Sequence, residues 1–503
     1  MKIDFFALPS DNMRSRVMTG AIHTGIAQGV KAGVQILSVL VLSRLLPPAE
    51  FGIVAMVGPI LGFVQMFQDL GLGQATIQKQ TLTPEEASNL FWIGAIFGVL
   101  LAVLMAAASP AVAWFYGAPE TAALCAAMSL LLVVSSLGVQ HNALLGRAMQ
   151  FRYLALLEIG SAIAGLAAAI IYALISPTFW ALYVGSLVAV VLPVAGSWMV
   201  VRWIPSLPRR GRGTLALANY GAGVTGFNFV NFFARNLDNI LIGRQWGDTQ
   251  LGLYDRAYKL LLLPLSYITN PMGRVMLPAL SGMLDQPERY TQAYLRAMGK
   301  ILVVAIPGMA FMVGSADILV PTLLGPGWAE AAPIFAALGI AGLFQPLNNP
   351  SGWLYLSQGR TWDYMWAGMI GAATAVAGII IGLPYGALGV ALGYAISEVV
   401  RTPLIWWLAT RRGPLRLHRV AAFAFPHIAG GILATGCTYA FASHVDLPPL
   451  LMLPACVCVA YAVSIAILSL SRDGRAELSE VIDLLIALAK KVSSLIRRGR
   501  PLD

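Results

Sequence analysis

The residues of this sequence most able to do chemistry are charged side chains inside otherwise apolar runs. In NFVNFFARNLDNILIGRQWG (228–247), Asn228, Asn231, Arg235 and Asp238 advance by three and four residues, so on a helix they share one face. Arg256, Lys259, Tyr267, Asn270 and Arg274 fall on a second such arc, and Tyr394, Glu398 and Arg401 on a third. Lys31 shares a fourth with Gln28, Gln35 and Ser38. Polar groups of this kind are expensive against lipid, so each stripe should face a bundle interior or a water-filled cavity. Clustered cations there suit an anion. Phosphate or pyrophosphate fits, because several cations together offset the cost of dehydrating it. The candidate substrate-binding residues are therefore Lys31, Arg235, Asp238, Arg256, Lys259, Asn270, Arg274, Glu398 and Arg401. A competing reading makes Arg235–Asp238 and Glu398–Arg401 plain i,i+3 ion pairs that only hold helices together. Lys31 has no acidic neighbour on its own helix. Arg256 and Lys259 have only Asp255, expected at the outer interface, and this cationic surplus favours the ligand reading.

Other chemistry finds little support. Cys125, Cys437, Cys456 and Cys458 lie within apolar runs without paired metal-ligand spacing and read as packing residues. His23, His141, His418, His427 and His444 are scattered, none joining a cysteine or carboxylate cluster, so no metal site is expected. GAGVTG (221–226) follows no strand and is not a nucleotide loop. No catalytic residues and no cofactor are expected, and the chain does not read as an enzyme. Coupling to a proton, to sodium or to the membrane potential is left open by the sequence.

The elements that must position the charges are membrane helices. Hydrophobic residues make up 58% of the chain, charged ones only 11%, and the mean hydropathy is +0.74, outside the range of water-soluble domains. A bilayer core of about 30 Å takes about 20 apolar residues per helix. Such stretches recur at 17–43, 51–71, 88–109, 121–142, 154–176, 179–201, 219–243, 252–280, 299–320, 331–356, 364–383, 386–409, 420–442 and 450–470. The expected fold is thus all-α and polytopic, with about fourteen transmembrane helices. With the N-terminus inside, most of the 33 Lys and Arg fall on the cytoplasmic side, and the C-terminus lies there too. The net charge of +10 is mostly this topological signal, which argues against nucleic-acid binding. No removable signal peptide is read at the N-terminus. The outer loops are short, so a periplasmic catalytic domain has no room. After the last span, Leu478, Val481, Ile482, Leu485, Leu488, Val492 and Leu495 lie on one face of a helix that ends in a basic cluster, as expected of a tail lying on the anionic inner leaflet.

An internal repeat organises the spans. Offset by 200 residues, SRLLPPAEFGI (43–53) falls on GRQWGDTQLGL (243–253), with Arg44 on Arg244 and Gly52 on Gly252. Continuing backwards, Gln28, Lys31, Gln35 and Ser38 fall on Asn228, Asn231, Arg235 and Asp238. Six helices separate the copies, so they are parallel repeats about an axis along the membrane normal. The expected organisation is an N-terminal six-helix lobe (1–205), a C-terminal six-helix lobe (206–412), two further helices (413–471) and a cytoplasmic amphipathic basic tail (472–503).

The run LSRLLPPAEFGIVAMVGPILGFVQMFQDLGLGQATIQKQTLTPEEASNLFWI (42–93) resembles the N-terminal signature of the polysaccharide transport family, the Wzx-type flippases of the MOP exporter superfamily. NYGAGVTGFNFVNFFARNLDNILIGRQWGDTQLGLYDRAYKLLLLP (219–264) is similar to that family's seventh and eighth helices, and the colanic-acid and exopolysaccharide exporters look most alike. The resemblance implies two six-helix lobes around a central cavity. It implies a flippase moving undecaprenyl-pyrophosphate-linked oligosaccharide to the outer leaflet of the cytoplasmic membrane for exopolysaccharide, capsule or O-antigen synthesis. Implied partners are that lipid-linked substrate, membrane lipids, a polysaccharide polymerase and a chain-length regulator. Three alternatives stand beside it: a drug or organic-cation antiporter of the same superfamily, which should have a more acidic cavity; a membrane glycosyltransferase or polymerase, which needs a substantial outer loop; and a non-transporting synthesis scaffold.

Overall fold

The computed structural model describes residues 5–6, 13–68, 71–208 and 214–497, with some side chains inside the helices left out of the description. Every regular element among them is helical, as a bilayer demands, since it offers no partner for open backbone groups. Helices α1 (Met13–Leu45), α2 (Pro48–Gln68), the short α3 (Leu72–Gln78), α4 (Pro84–Tyr116), α5 (Glu120–Arg147), α6 (Phe151–Ile175) and α7 (Trp180–Val201) precede a long α8 (Thr214–Ser281). They are followed by α9 (Pro287–Gly314), α10 (Ala316–Leu324), α11 (Ala331–Asn348), α12 (Ser351–Ser357), α13 (Thr361–Gly382), α14 (Gly386–Thr410), α15 (Leu417–His444), α16 (Pro449–Ser469) and α17 (Arg472–Arg497).

Eleven stretches among the described residues are long and apolar enough to cross a membrane. One of them, Thr361–Thr410, holds both α13 and α14. Helix α8 lies outside the eleven, and Gly247 (φ +80°) breaks it into two helical stretches between the predicted spans 219–243 and 252–280. Glycine takes that backbone without a steric penalty. Most predicted spans coincide with one helix, whereas 299–320 is divided between α9 and α10 and 331–356 between α11 and α12. Large apolar side chains such as Leu174 (68% exposed), Ile175 (81%) and Ile381 (72%) point outward, as suits a surface solvated by lipid tails.

Local signals set the helix ends. Before α4, Thr83 accepts from the Glu86 amide at 3.2 Å and its own amide donates to Glu86 Oε2 at 3.1 Å, a reciprocal cap reinforced by Pro84 in the first turn. Lys79 closes on the same carboxylate at 2.6 Å.

The chain forms two compact units, Met1–Asp255 and Arg256–Asp503. The first runs past the lobe boundary expected at 205/206 and takes in the first part of α8. Within it, α4 packs on α5, α6 on α7, and α1 on α6; within the second, α13 packs on α14, α15 on α16 and on α9, and α11 on α14. One packing device recurs in both. A Cβ added to Gly165 of α6 would stand 2.8 Å from the Gly185 carbonyl of α7, and one added to Gly378 of α13 would stand 2.3 Å from the Gly393 carbonyl of α14. Backbones this close gain the dispersion contacts that drive helix pairing in lipid.

Within the second unit, the tail helix α17 packs on α9 and α16. Its Glu480 meets Arg296 at 3.4 Å and Lys300 at 3.7 Å on α9, while Glu477 Oε2 lies 3.0 Å from His427 Nε2 on α15. That last contact corrects the expectation that no histidine joins a carboxylate; the two residues are 50 apart in sequence, beyond the reach of spacing arguments. Ile482 and Ile486, further along α17, remain exposed.

Candidate functional site

The candidate residues divide between the two units. In the first, Asp238 of α8 is buried, and its carboxylate accepts from the Tyr254 hydroxyl at 2.9 Å and from the Asn239 amide at 2.9 Å. Tyr254 stands after the Gly247 turn, so folding α8 back on itself brings the hydroxyl to the carboxylate. The side chain of Arg235, its expected partner, lies outside the described residues, as does that of Asn270. Asp255 is buried as well, not solvated at an interface as its position in the sequence led us to expect.

Lys31 is not part of a cationic surplus. Its ammonium lies 3.1 Å from Glu158 on α6, both side chains being roughly two-fifths exposed (41% and 43%). The absence of an acid on its own helix held, but packing of α1 on α6 supplies one from elsewhere.

In the second unit, Glu398 and Arg401 of α14 form the expected i,i+3 pair. Glu398 is fully buried and also accepts from Asn348 of α11 at 2.7 Å; the same amide donates to Thr402 at 2.8 Å. Arg401 donates in addition to the Gly371 carbonyl of α13 at 3.0 Å. This web joins three helices and pairs the two opposite charges within the protein, an arrangement that fixes register well. Lys259 and Arg274 are exposed on α8 and Arg256 is half-buried. These three are spaced along one stripe of α8.

Two basic residues that the sequence placed only as loop charges turn out to be structural. Arg147, at the end of α5, is 1% exposed, and its guanidinium gathers the carbonyls of Phe6 (2.8 Å), Thr76 (3.0 Å), Ile77 (3.4 Å), Lys79 and Gln80 (2.9 Å). Arg360, which precedes its span as Arg147 does, donates to the carbonyls of Ala409 (3.0 Å), Leu408 (3.2 Å) and Arg412 (2.5 Å), and pairs with Asp363 at 2.9 Å. A five-donor fork is suited to such work. The signal in the sequence is their position, since each stands just before an apolar span, at 154–176 and 364–383.

Beyond geometry, comparison with known proteins is decisive. The model of one family, described as polysaccharide biosynthesis protein, matches residues 41–333. The chain belongs to that family. Its relatives include the teichuronic acid biosynthesis protein TuaB of Bacillus subtilis (28% identical, covering 70% of this chain and 74% of the relative). Another is the lipopolysaccharide biosynthesis protein WzxC of Escherichia coli (23%; 79% and 81%). The succinoglycan biosynthesis transport protein ExoT of Rhizobium meliloti matches at 27% identity over 63% of this chain and 64% of its own. Among solved structures, the lipid II flippase MurJ in an inward closed conformation superposes with a TM-score of 0.69 at 12% identity, covering 90% of this chain and 98% of its own. An inward-facing multidrug resistance MATE transporter of the MOP superfamily follows at 0.58 and 15%, covering 81% and 99%. This member of the polysaccharide biosynthesis family is therefore a multi-pass membrane protein with the MOP exporter fold.

Proposed function

We propose that the protein is a flippase that moves undecaprenyl-pyrophosphate-linked oligosaccharide repeat units from the inner to the outer leaflet of the cytoplasmic membrane. The observation that carries this reading is membership of the polysaccharide biosynthesis family over residues 41–333, in a chain whose fold is that of lipid and drug exporters. The family match favours a lipid-linked sugar over a drug or organic cation, and the cationic strip of Arg256, Lys259 and Arg274 suits its pyrophosphate. Arg235, Asp238 and Asn270 line the same long helix. The protein carries out no covalent chemistry in this account. Both termini lie in the cytoplasm, in keeping with the side on which the basic residues gather. The repeats define lobes at 1–205 and 206–412, followed by two helices at 413–471 and the tail at 472–503. A polymerase and a chain-length regulator act on the delivered repeat units.

Depleting the protein in cells that keep making the lipid-linked precursor tests the reading. Surface polymer should fall to background while the precursor accumulates at the inner leaflet. Continued polymer export on depletion would rule the function out.

A further inference from the structure

The turn between α1 and α2 and the turn at Gly247 are repeat counterparts: Pro48 corresponds to Asp248, and Gly52 to Gly252. Both belong to the first unit, and there they touch reciprocally. A Cβ added to Gly52 would fall 1.8 Å from the Asp248 carbonyl oxygen, and one added to Gly252 would fall 1.9 Å from the Pro48 carbonyl oxygen. Each helix thus rests its glycine on the carbonyl four residues before the other's glycine. The contact is backbone on backbone, the nearest atoms to either added Cβ being main-chain atoms of the opposite turn.

Just beyond it, Gly243 packs against Met56 and Tyr116. An apolar recess of about 270 Å³ follows, lined by Ile60 of α2, Val112, Phe115 and Tyr116 of α4, and Ile240 of α8. The distribution of basic residues assigns this end to the outside of the membrane. A carrier that lets a charged lipid headgroup cross cannot be open at both ends at once, so its outer end needs a contact that closes tightly yet parts at low cost. Two glycines on two carbonyls suit that role, because the fit is close and is made by main-chain atoms.

We infer that Gly52 and Gly252 form the outer closure of the transport path, a repeat-symmetric backbone contact that must part for each lipid-linked unit to leave. This inference rests on the proposed flippase function. Either glycine enlarged to alanine props the closure open, because the obstructing atom is a carbonyl of the main chain and cannot swing aside. Gly58, on the same helix α2 but with nothing within 4 Å of an added Cβ, is the matched control.

The test places a reporter cysteine at Ile240, with the exposed Cys437 and Cys458 replaced by serine, and follows its labelling in cells by a membrane-impermeant maleimide added outside. Gly52→Ala and Gly252→Ala should each speed labelling and cut polymer export, both by about tenfold, at unchanged membrane abundance. Gly58→Ala should alter neither. Loss of export with unchanged labelling would overturn the closure and leave the transport function standing. Fast labelling with normal export would also overturn it, since closure would then not matter. Should the alanine variants fail to accumulate, labelling of the reporter in the glycine-intact protein decides. It should quicken when precursor synthesis is switched on, and a rate indifferent to precursor would refute the inference.

Discussion

Replacing Arg147 with leucine should remove the protein from the membrane instead of merely slowing it. The guanidinium, 1% exposed, holds five carbonyls that come from the N-terminal segment, the end of α3 and the loop after it. Phe6, Thr76, Ile77 and Lys79 lie in partly or fully buried positions, and each shielded carbonyl left unsatisfied costs about 1–3 kcal/mol. Together they exceed about 4 kcal/mol, the level at which single substitutions become severe. Phe6, which supplies one carbonyl, packs edge-on against Trp203, and Phe5 and Phe6 cover a core of Leu82, Leu144, Leu145 and Val201. Losing the anchor therefore exposes apolar surface as well. Arg147→Lys should be intermediate, because an ammonium has three donors and no planar fork to reach five acceptors. Membrane abundance and thermal unfolding in detergent provide the measurement. A leucine variant as abundant and as heat-resistant as the parent would show that the carbonyl cage is not needed.

The second large effect is expected on transport alone. Arg256→Gln, Lys259→Gln and Arg274→Gln combined should lower polymer export at least about a hundredfold while membrane abundance stays near that of the parent. Charge-assisted hydrogen bonds contribute about 1.5–3 kcal/mol each, so losing even two of them to a pyrophosphate gives that factor. Lys259 and Arg274 are exposed, and glutamine retains most of the packing of the longer side chains. Restoring lysine at 256 or 274 separates the two ways a cation can act. Recovery means that simple positive charge is enough, and no recovery means that forked hydrogen bonding is required. Normal export in the triple variant would remove this strip from the transport path.

Much of the fold was legible in the sequence because each span must satisfy its own backbone and present apolar side chains all round. Both properties are local, and they separated even the two helical stretches of α8 on either side of Gly247. The 200-residue offset pairs Gly52 with Gly252, and these two glycines meet reciprocally in the fold. Pairing between helices was not legible. Lys31 finds Glu158 across 127 residues, Glu398 finds Asn348 across 50, and Asp238 finds Tyr254 across a turn. Helical spacing specifies which residues share a face but not which helix that face meets. Arg147 shows the converse error. A basic residue at a helix end reads as a topological charge, yet its work is done on carbonyls, which leave no trace in side-chain patterns.

The central claim is that this chain moves a pyrophosphate-linked lipid between leaflets, and transbilayer movement in vesicles tests it most directly. The purified protein is reconstituted with an undecaprenyl-pyrophosphate oligosaccharide loaded on the inner face, and its arrival outside is followed with a sugar-binding probe that cannot cross. Imposed proton and sodium gradients and a membrane potential are each applied in turn. The account predicts that under at least one of these the lipid appears outside with the parent protein and stays inside with the Arg256, Lys259 and Arg274 triple variant. Movement no faster than in protein-free vesicles under all three would contradict it.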